Sequence, residues 1–138
     1  MQKVSCILLV DDDDITNSLH AMLLEDMAIA EDIQTSTNAE AALRMIQNTV
    51  ESLHDNKKCL LFLDINMPGF SGFELLEQLK GKGLWPSDCF YVYILSSSSN
   101  KKDLDEANNN KVDGYVVKPL THEKIKQVFQ EIDSSVKS

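Results

Sequence analysis

Aspartates fill four consecutive positions, Asp11 to Asp14, directly after the apolar run Cys6–Val10. Two unit charges about 6 Å apart repel by roughly 3 kcal/mol at an effective dielectric near 20, so such a run calls for a cation. A hard, oxygen-seeking ion such as Mg²⁺ suits it, because that ion binds through one or two carboxylates and keeps water or phosphate oxygens in its other octahedral positions. Asp13 and Asp14 also read as the start of a helix, where an Asp caps free N–H groups and acids favour the dipole. That leaves Asp11 and Asp12, nearest the apolar run, for a metal. Asp64 follows a second run, CLLFL, and opens Asp64-Ile65-Asn66-Met67-Pro68-Gly69, whose Pro and Gly indicate a fixed loop. Ser96 follows a third run and Lys118, in Lys118-Pro119, a fourth. Taken singly, an Asp here is a turn former or cap, and a Ser or Lys is surface decoration. Taken together, an acidic pair, an acceptor carboxylate, a hydroxyl and an ammonium describe a phosphoryl-transfer site, which works by positioning and by neutralising charge.

These residues act together only if the fold gathers them. Five apolar runs, Cys6–Val10, a weaker one around 33–36, Cys59–Leu63, Phe90–Leu95 and Tyr115–Val117, alternate with segments of helical spacing. The helical sets are Ile15, Leu19, Met22, Leu23; then Ala39, Ala42, Leu43, Ile46; then Phe73, Leu75, Leu76, Leu79; and finally Ile125, Val128, Phe129, Ile132. The polar stretch 101–109, anchored by Leu104 and Ala107, predicts a short, loosely packed helix. Alternating β and α elements with nearly continuous apolar strands imply an α/β fold, a doubly wound parallel sheet covered on both faces. Ligands in such sheets sit at the carboxyl ends of the strands. Every candidate residue above falls just after a strand.

A chain of 138 residues fits one domain, here 1–138 with a core of about 4–133. A net charge of −9 argues against nucleic-acid binding, which needs Lys/Arg patches. No apolar run approaches the roughly 20 residues that span a bilayer, and the brief apolar stretch after Met1 meets acids at once, unlike a signal peptide. A cytoplasmic location with no membrane partner is the expectation. Cys6, Cys59 and Cys89 lack CxxC spacing and read as reduced core or strand-end residues. His20, His54 and His122 show no metal spacing and read as surface or partly buried; Trp85 with Pro86 fits a packing anchor or an exposed contact equally.

The segments ILLVDDDD (7–14), FLDINMPGFSGFELLEQL (62–79), YILSSSS (93–99) and GYVVKPLT (114–121), in this order and spacing, resemble the receiver domains of two-component response regulators. The resemblance spans essentially the whole chain and is similar to the chemotaxis-type regulators that consist of a receiver alone. It implies a flavodoxin-like, five-stranded parallel sheet of order 2-1-3-4-5. It implies that Asp11 and Asp12 orient and bind Mg²⁺, with Mn²⁺ as a substitute, and that Asp64 is the phosphoacceptor. The Asn66 backbone carbonyl would complete the metal ligands, Ser96 and Lys118 would contact the acyl phosphate, and the Lys118–Pro119 bond would be cis. Ser96 and Tyr115 would form the switch, although Tyr115 is equally readable as a half-buried strand aromatic. The position of Ser98, with Asn66, tunes the lifetime of the phosphoryl group in that family. One departure is Lys111-Val112 before the fifth strand, after Asn108-Asn109-Asn110, where asparagine would best tolerate a left-handed turn.

The implied partners are a histidine kinase or phosphotransfer protein and a downstream protein target, with oligomeric state left open. The protein would be no enzyme in the ordinary sense, catalysing only its own aspartyl phosphorylation and dephosphorylation. Two competing readings are a receiver-like binding module that no longer uses phosphorylation and a haloacid-dehalogenase-type phosphatase. For the latter, Asp12-Asp13-Asp14-Ile15-Thr16 satisfies DxDxT, but the first Asp after the strand is Asp11 and no late acidic pair follows.

Overall fold

The computed structural model describes residues 3–53, 57–67, 69–88, 90–97 and 100–134, so His54, Pro68, Cys89 and Ser98 lie outside the described residues. Strands β1 (Val4–Val10), β2 (Ala30–Ser36), β3 (Cys59–Asp64), β4 (Phe90–Ser96) and β5 (Gly114–Val117) form one sheet. Its order is β2-β1-β3-β4-β5 and every pairing is parallel, as the alternation of elements requires. Helices α1 (Asp14–Met27), α2 (Ala39–Ser52), α3 (Gly72–Gly81), α4 (Lys101–Asn109) and α5 (His122–Ser134) connect and cover it. Between β3 and α3, Asn66–Met67 pairs antiparallel with Phe70–Ser71, a two-residue ladder in a stretch whose Pro and Gly suggested only a loop.

Alternation along the strands divides the interior into two layers. Leu8, Leu61, Leu63 and Ile94 face α2 and α3, packing with Ile46, Leu76 and Leu79. Ile7, Leu9, Leu60 and Phe62 face α1 and α5, packing with Leu24, Ile125 and Phe129. Because both faces are covered, β3 and β4 are buried along their whole length, which is why their sequences stay largely apolar until Asp64 and Ser96 at their carboxyl ends. Each such Leu or Phe contributes roughly 1.5–3 kcal/mol on burial. Trp85, undecided in the sequence, is buried in the α2/α3 layer, with the Lys80 ammonium 5.3 Å from its ring centroid. No helix among the described residues is long and apolar enough to cross a membrane.

Two expectations are corrected. Of the apolar set read for α1, Leu23 packs against the core, but Ile15, Leu19 and Met22 do not face inward: they are 71%, 60% and 64% exposed, and the buried residues are Asn17, His20 and Leu24. The inward positions at the start of α1 meet backbone polar groups at the strand ends, so polar side chains occupy them. The left-handed residue before β5 is Lys111 (φ 59°), not one of the asparagines; Asn110 stays right-handed and its amide caps α4 by donating to the Glu106 carbonyl. A lysine in that conformation costs roughly 1–2 kcal/mol. Helix α4 is, as its composition indicates, sparsely anchored, with Ala107 buried.

Candidate functional site

Register brings the candidate residues to one edge. Val10 of β1 lies beside Leu63 of β3, so Asp11 and Asp64 leave the two central strands side by side. Asp64 in turn lies beside Leu95 of β4, which ends at Ser96, and Ser96 lies beside Val117 of β5, which hands on to Lys118. The backbone continues the link, since the Lys118 N–H donates to the Ser96 carbonyl at 2.7 Å. The Lys118–Pro119 peptide bond is cis, as is Trp85–Pro86, for which the sequence carried no expectation.

Carboxylate oxygens of Asp11, Asp12 and Asp64 lie within 4.8 Å of one another, a span comparable to the roughly 4.2 Å across an octahedral Mg²⁺ shell. Asp11 and Asp64 are 1% and 2% exposed, whereas Asp12 is open to solvent. The Lys118 ammonium sits 2.5 Å from Asp11 Oδ2 and 3.5 Å from Asp64 Oδ2. Asp11 Oδ1 accepts the Asp13 N–H at 2.9 Å, and Asp64 Oδ1 accepts the Asn66 N–H at 3.1 Å. One ammonium against three acids leaves the group short of positive charge. Burial pushes the Asp64 carboxyl up to about 6; the Asn66 N–H and the Lys118 ammonium oppose the rise, and Asp11 and Asp12 add to it. At Lys118, burial works against the charge but the Asp11 and Asp64 carboxylates outweigh it and hold the ammonium above its ordinary range. An all-oxygen, charge-deficient donor set of this kind fits a hard divalent cation.

Asp13 and Asp14 stand apart from this cluster. Asp13 is the N-cap of α1, accepting from the N–H groups of Ile15 and Thr16 and from the Thr16 hydroxyl, whose bond chiefly holds its carboxyl below the ordinary range. Asp14 lies in the first helical turn. Asn66 lies at the same edge as Asp64, in the short ladder. Ser96 is fully buried, and Tyr115 is half-buried against the α2/α3 layer.

Three supporting residues escaped the sequence reading. The Asn17 amide donates to the carbonyls of both Asp11 and Ser36, at 3.1 Å each, tying the ends of β1 and β2 together. His20 is buried, and its Nε2 accepts the Leu120 N–H at 3.2 Å, anchoring the segment just after Lys118-Pro119; burial, above all, keeps its pKa low and the ring neutral. Their spacing with Leu24 on one helix face was the available signal. Gly72 packs flush on the end of β3: a Cβ there would lie 2.6 Å from the Asp64 carbonyl oxygen and 3.1 Å from Ile65 Cα.

Comparison with known proteins agrees with this geometry. Residues 7–130 match the family model described as the response regulator receiver domain. The chain is similar to the probable methanogenesis regulatory protein FilR2 of Methanothrix harundinacea, 31% identical over 91% of this chain and 79% of that protein; the nitrate/nitrite response regulator protein NarL of Escherichia coli, 28% identical over 94% of this chain, is longer, and the match covers 55% of it. Among solved structures, a two component response regulator from Cytophaga hutchinsonii superposes with a TM-score of 0.82 at 32% identity, covering 97% of this chain and all of that one. The receiver domain of the histidine kinase CKI1 from Arabidopsis thaliana, complexed with Mg²⁺ and BeF₃⁻, shares the fold at 19% identity and a TM-score of 0.79, over 95% of this chain and 91% of that one. Both the matched span and the clustered carboxylates lead to one assignment: the chain belongs to the family of response regulator receiver domains.

Proposed function

We propose that the domain is a phosphoacceptor switch in which the Asp64 carboxylate takes a phosphoryl group from a phosphohistidine donor. The observation that carries this reading is the placement of a buried Asp64 beside the Lys118 ammonium and within 4.8 Å of the Asp11 and Asp12 oxygens. A Mg²⁺ ion, or Mn²⁺ in its stead, would be held by Asp12 and Asp64, with Asp11 orienting it and the Asn66 carbonyl completing the protein's share, and when bound it neutralises charge on acceptor and phosphoryl oxygens.

An Asp64 oxygen attacks phosphorus, the bond from phosphorus to the donor imidazole nitrogen breaks, and the electron pair leaves with the imidazole. The product is a mixed anhydride on Asp64. Lys118, already held charged between two carboxylates, moves its ammonium onto the new phosphoryl oxygens. Ser96 at the adjoining strand end donates its hydroxyl to the same group, and Tyr115 turns inward toward the space that Ser96 leaves. The face formed by α4, β5 and α5 then presents a different surface to a protein target. A few kcal/mol of differential interaction suffice to shift such a two-state equilibrium. The domain works on itself, in the cytoplasm, as the receiver for a histidine kinase or phosphotransfer protein.

Incubation with Mg²⁺ and acetyl phosphate, followed by intact mass measurement, tests the reading. The unaltered chain is expected to gain one phosphoryl group and Asp64→Asn none. A folded, metal-supplied sample that gains nothing would identify a binding module that dispenses with phosphorylation, and an adduct that survives Asp64→Asn would move the acceptor elsewhere.

A further inference from the structure

Cys6 and Cys59 are far apart in the chain and carry no motif, yet they are direct neighbours in the register of β1 and β3. Both side chains point into the α2/α3 layer, and the two thiols are hydrogen-bonded to each other. In-register strands stand about 4.8 Å apart, inside the roughly 4.4–6.8 Å range of Cα separations that a disulfide spans. Cys59 is sealed, but Cys6 lines a groove of about 250 Å³ with Asp32, Gln34, Thr49, Ser52 and Lys57. This groove lies at the amino edge of the sheet, the edge away from the carboxylates. Gln34 Nε2 approaches the Cys6 sulfur at 4.0 Å, so a donor is already directed at that atom.

We propose that Cys6 and Cys59 are a redox-responsive dithiol that closes to a disulfide when a small hydroperoxide enters the groove. The Cys6 thiolate attacks a peroxide oxygen, the O–O bond breaks, and water or an alcohol leaves after taking up a proton. The resulting Cys6 sulfenic acid is attacked by the Cys59 sulfur; the S–S bond forms and water departs with the Cys59 proton. Two electrons pass from the two thiols to one hydroperoxide. The hydrogen bond from Cys59 favours the Cys6 thiolate, holding its pKa below the ordinary value against burial and the Asp32 carboxylate. Disulfide formation needs the Cβ atoms at about 3.8 Å, closer than an undistorted pair of strands sets them, so the bridge would be readily reduced again. Each cysteine stands five residues before its strand's carboxylate, Cys6 before Asp11 and Cys59 before Asp64, so the bridge would tie together the two strands that carry the acidic cluster.

The test uses the full chain carrying Cys89→Ser, exposed to hydrogen peroxide with chelator present. The monomer is expected to lose roughly 2 Da, the mass of two hydrogens, to recover it in dithiothreitol, and to yield an unreduced peptide pair joined through Cys6 and Cys59. The proposal fails if both thiols remain alkylatable after denaturation, if Cys6 accumulates oxygen while Cys59 stays free, or if only intermolecular dimers form. Should Cys89→Ser not fold, peptide mapping of the unaltered chain decides by the same criterion, since a bridge between any other pair of cysteines also overturns it.

Discussion

Leu61 and Asp64 lie three residues apart on one strand, both withdrawn from water, and they do opposite things to the fold. Leu61 lies in an apolar layer, between Leu8 and Val92 in the register, and its burial needs no compensation. Asp64 has the same depth but brings a charge that one lysine and one backbone N–H only partly answer. The apolar interior of the sheet therefore needs no ion to hold it, whereas its carboxyl rim is held in a state that an added cation improves. A strand can stiffen a domain along most of its length and be primed for chemistry at its end.

The sharpest way to separate the two regions is Leu61→Ala. The cavity should cost about 3 kcal/mol, read from the urea midpoint, while acetyl phosphate labelling of the folded fraction stays within about twofold. Loss of labelling in a fully folded sample would mean that core and rim are not independent. Next in size is metal. Saturating Mg²⁺ at about 100 times its Kd should add roughly 2.7 kcal/mol by binding the folded state alone, visible as a rise in Tm, and Asp12→Asn should remove that rise. A rise that persists in Asp12→Asn would place the ion away from this rim.

Smallest, and most specific, is the proton. The Asp64 carboxyl is raised from 3.8 to about 6, first by burial, so the native state keeps a proton that the unfolded chain has already lost. Folding takes up protons between about pH 4 and 6, and this group's contribution, complete below pH 4, is lost as pH rises through 6. Asp64→Asn should accordingly stabilise the metal-free protein by on the order of 1 kcal/mol at pH 7, and the gain should vanish near pH 4. A gain independent of pH would show that relief of charge is not its origin.

How much of this could be read beforehand follows the same division. Strands β1, β3 and β4 announce themselves because burial on both faces makes most of their positions apolar, while β2, with Glu31 and Asp32 exposed at the sheet edge, gives only a weak apolar signal. The rim residues were legible because each stands directly after an apolar run, and a parallel sheet leaves only one edge for them. Helix α1 was misread for a physical reason. Ile15, Leu19 and Met22 face outward and the inward face begins with Asn17 and His20 before reaching Leu24, so periodicity drew three outward positions into the buried set. Register was invisible too, and with it the meeting of Cys6 and Cys59, because pairing across 53 residues leaves no trace in spacing.

Gly72 carries no functional group, yet its missing side chain lets α3 rest on the Asp64 carbonyl. Any larger residue must lift the helix or push the end of β3, and with it the acceptor carboxylate, out of line with Lys118. In a saturation library sorted for signalling output, position 72 would therefore tolerate as little as position 64, and a ranking by intolerance alone would count an empty space among the chemical groups.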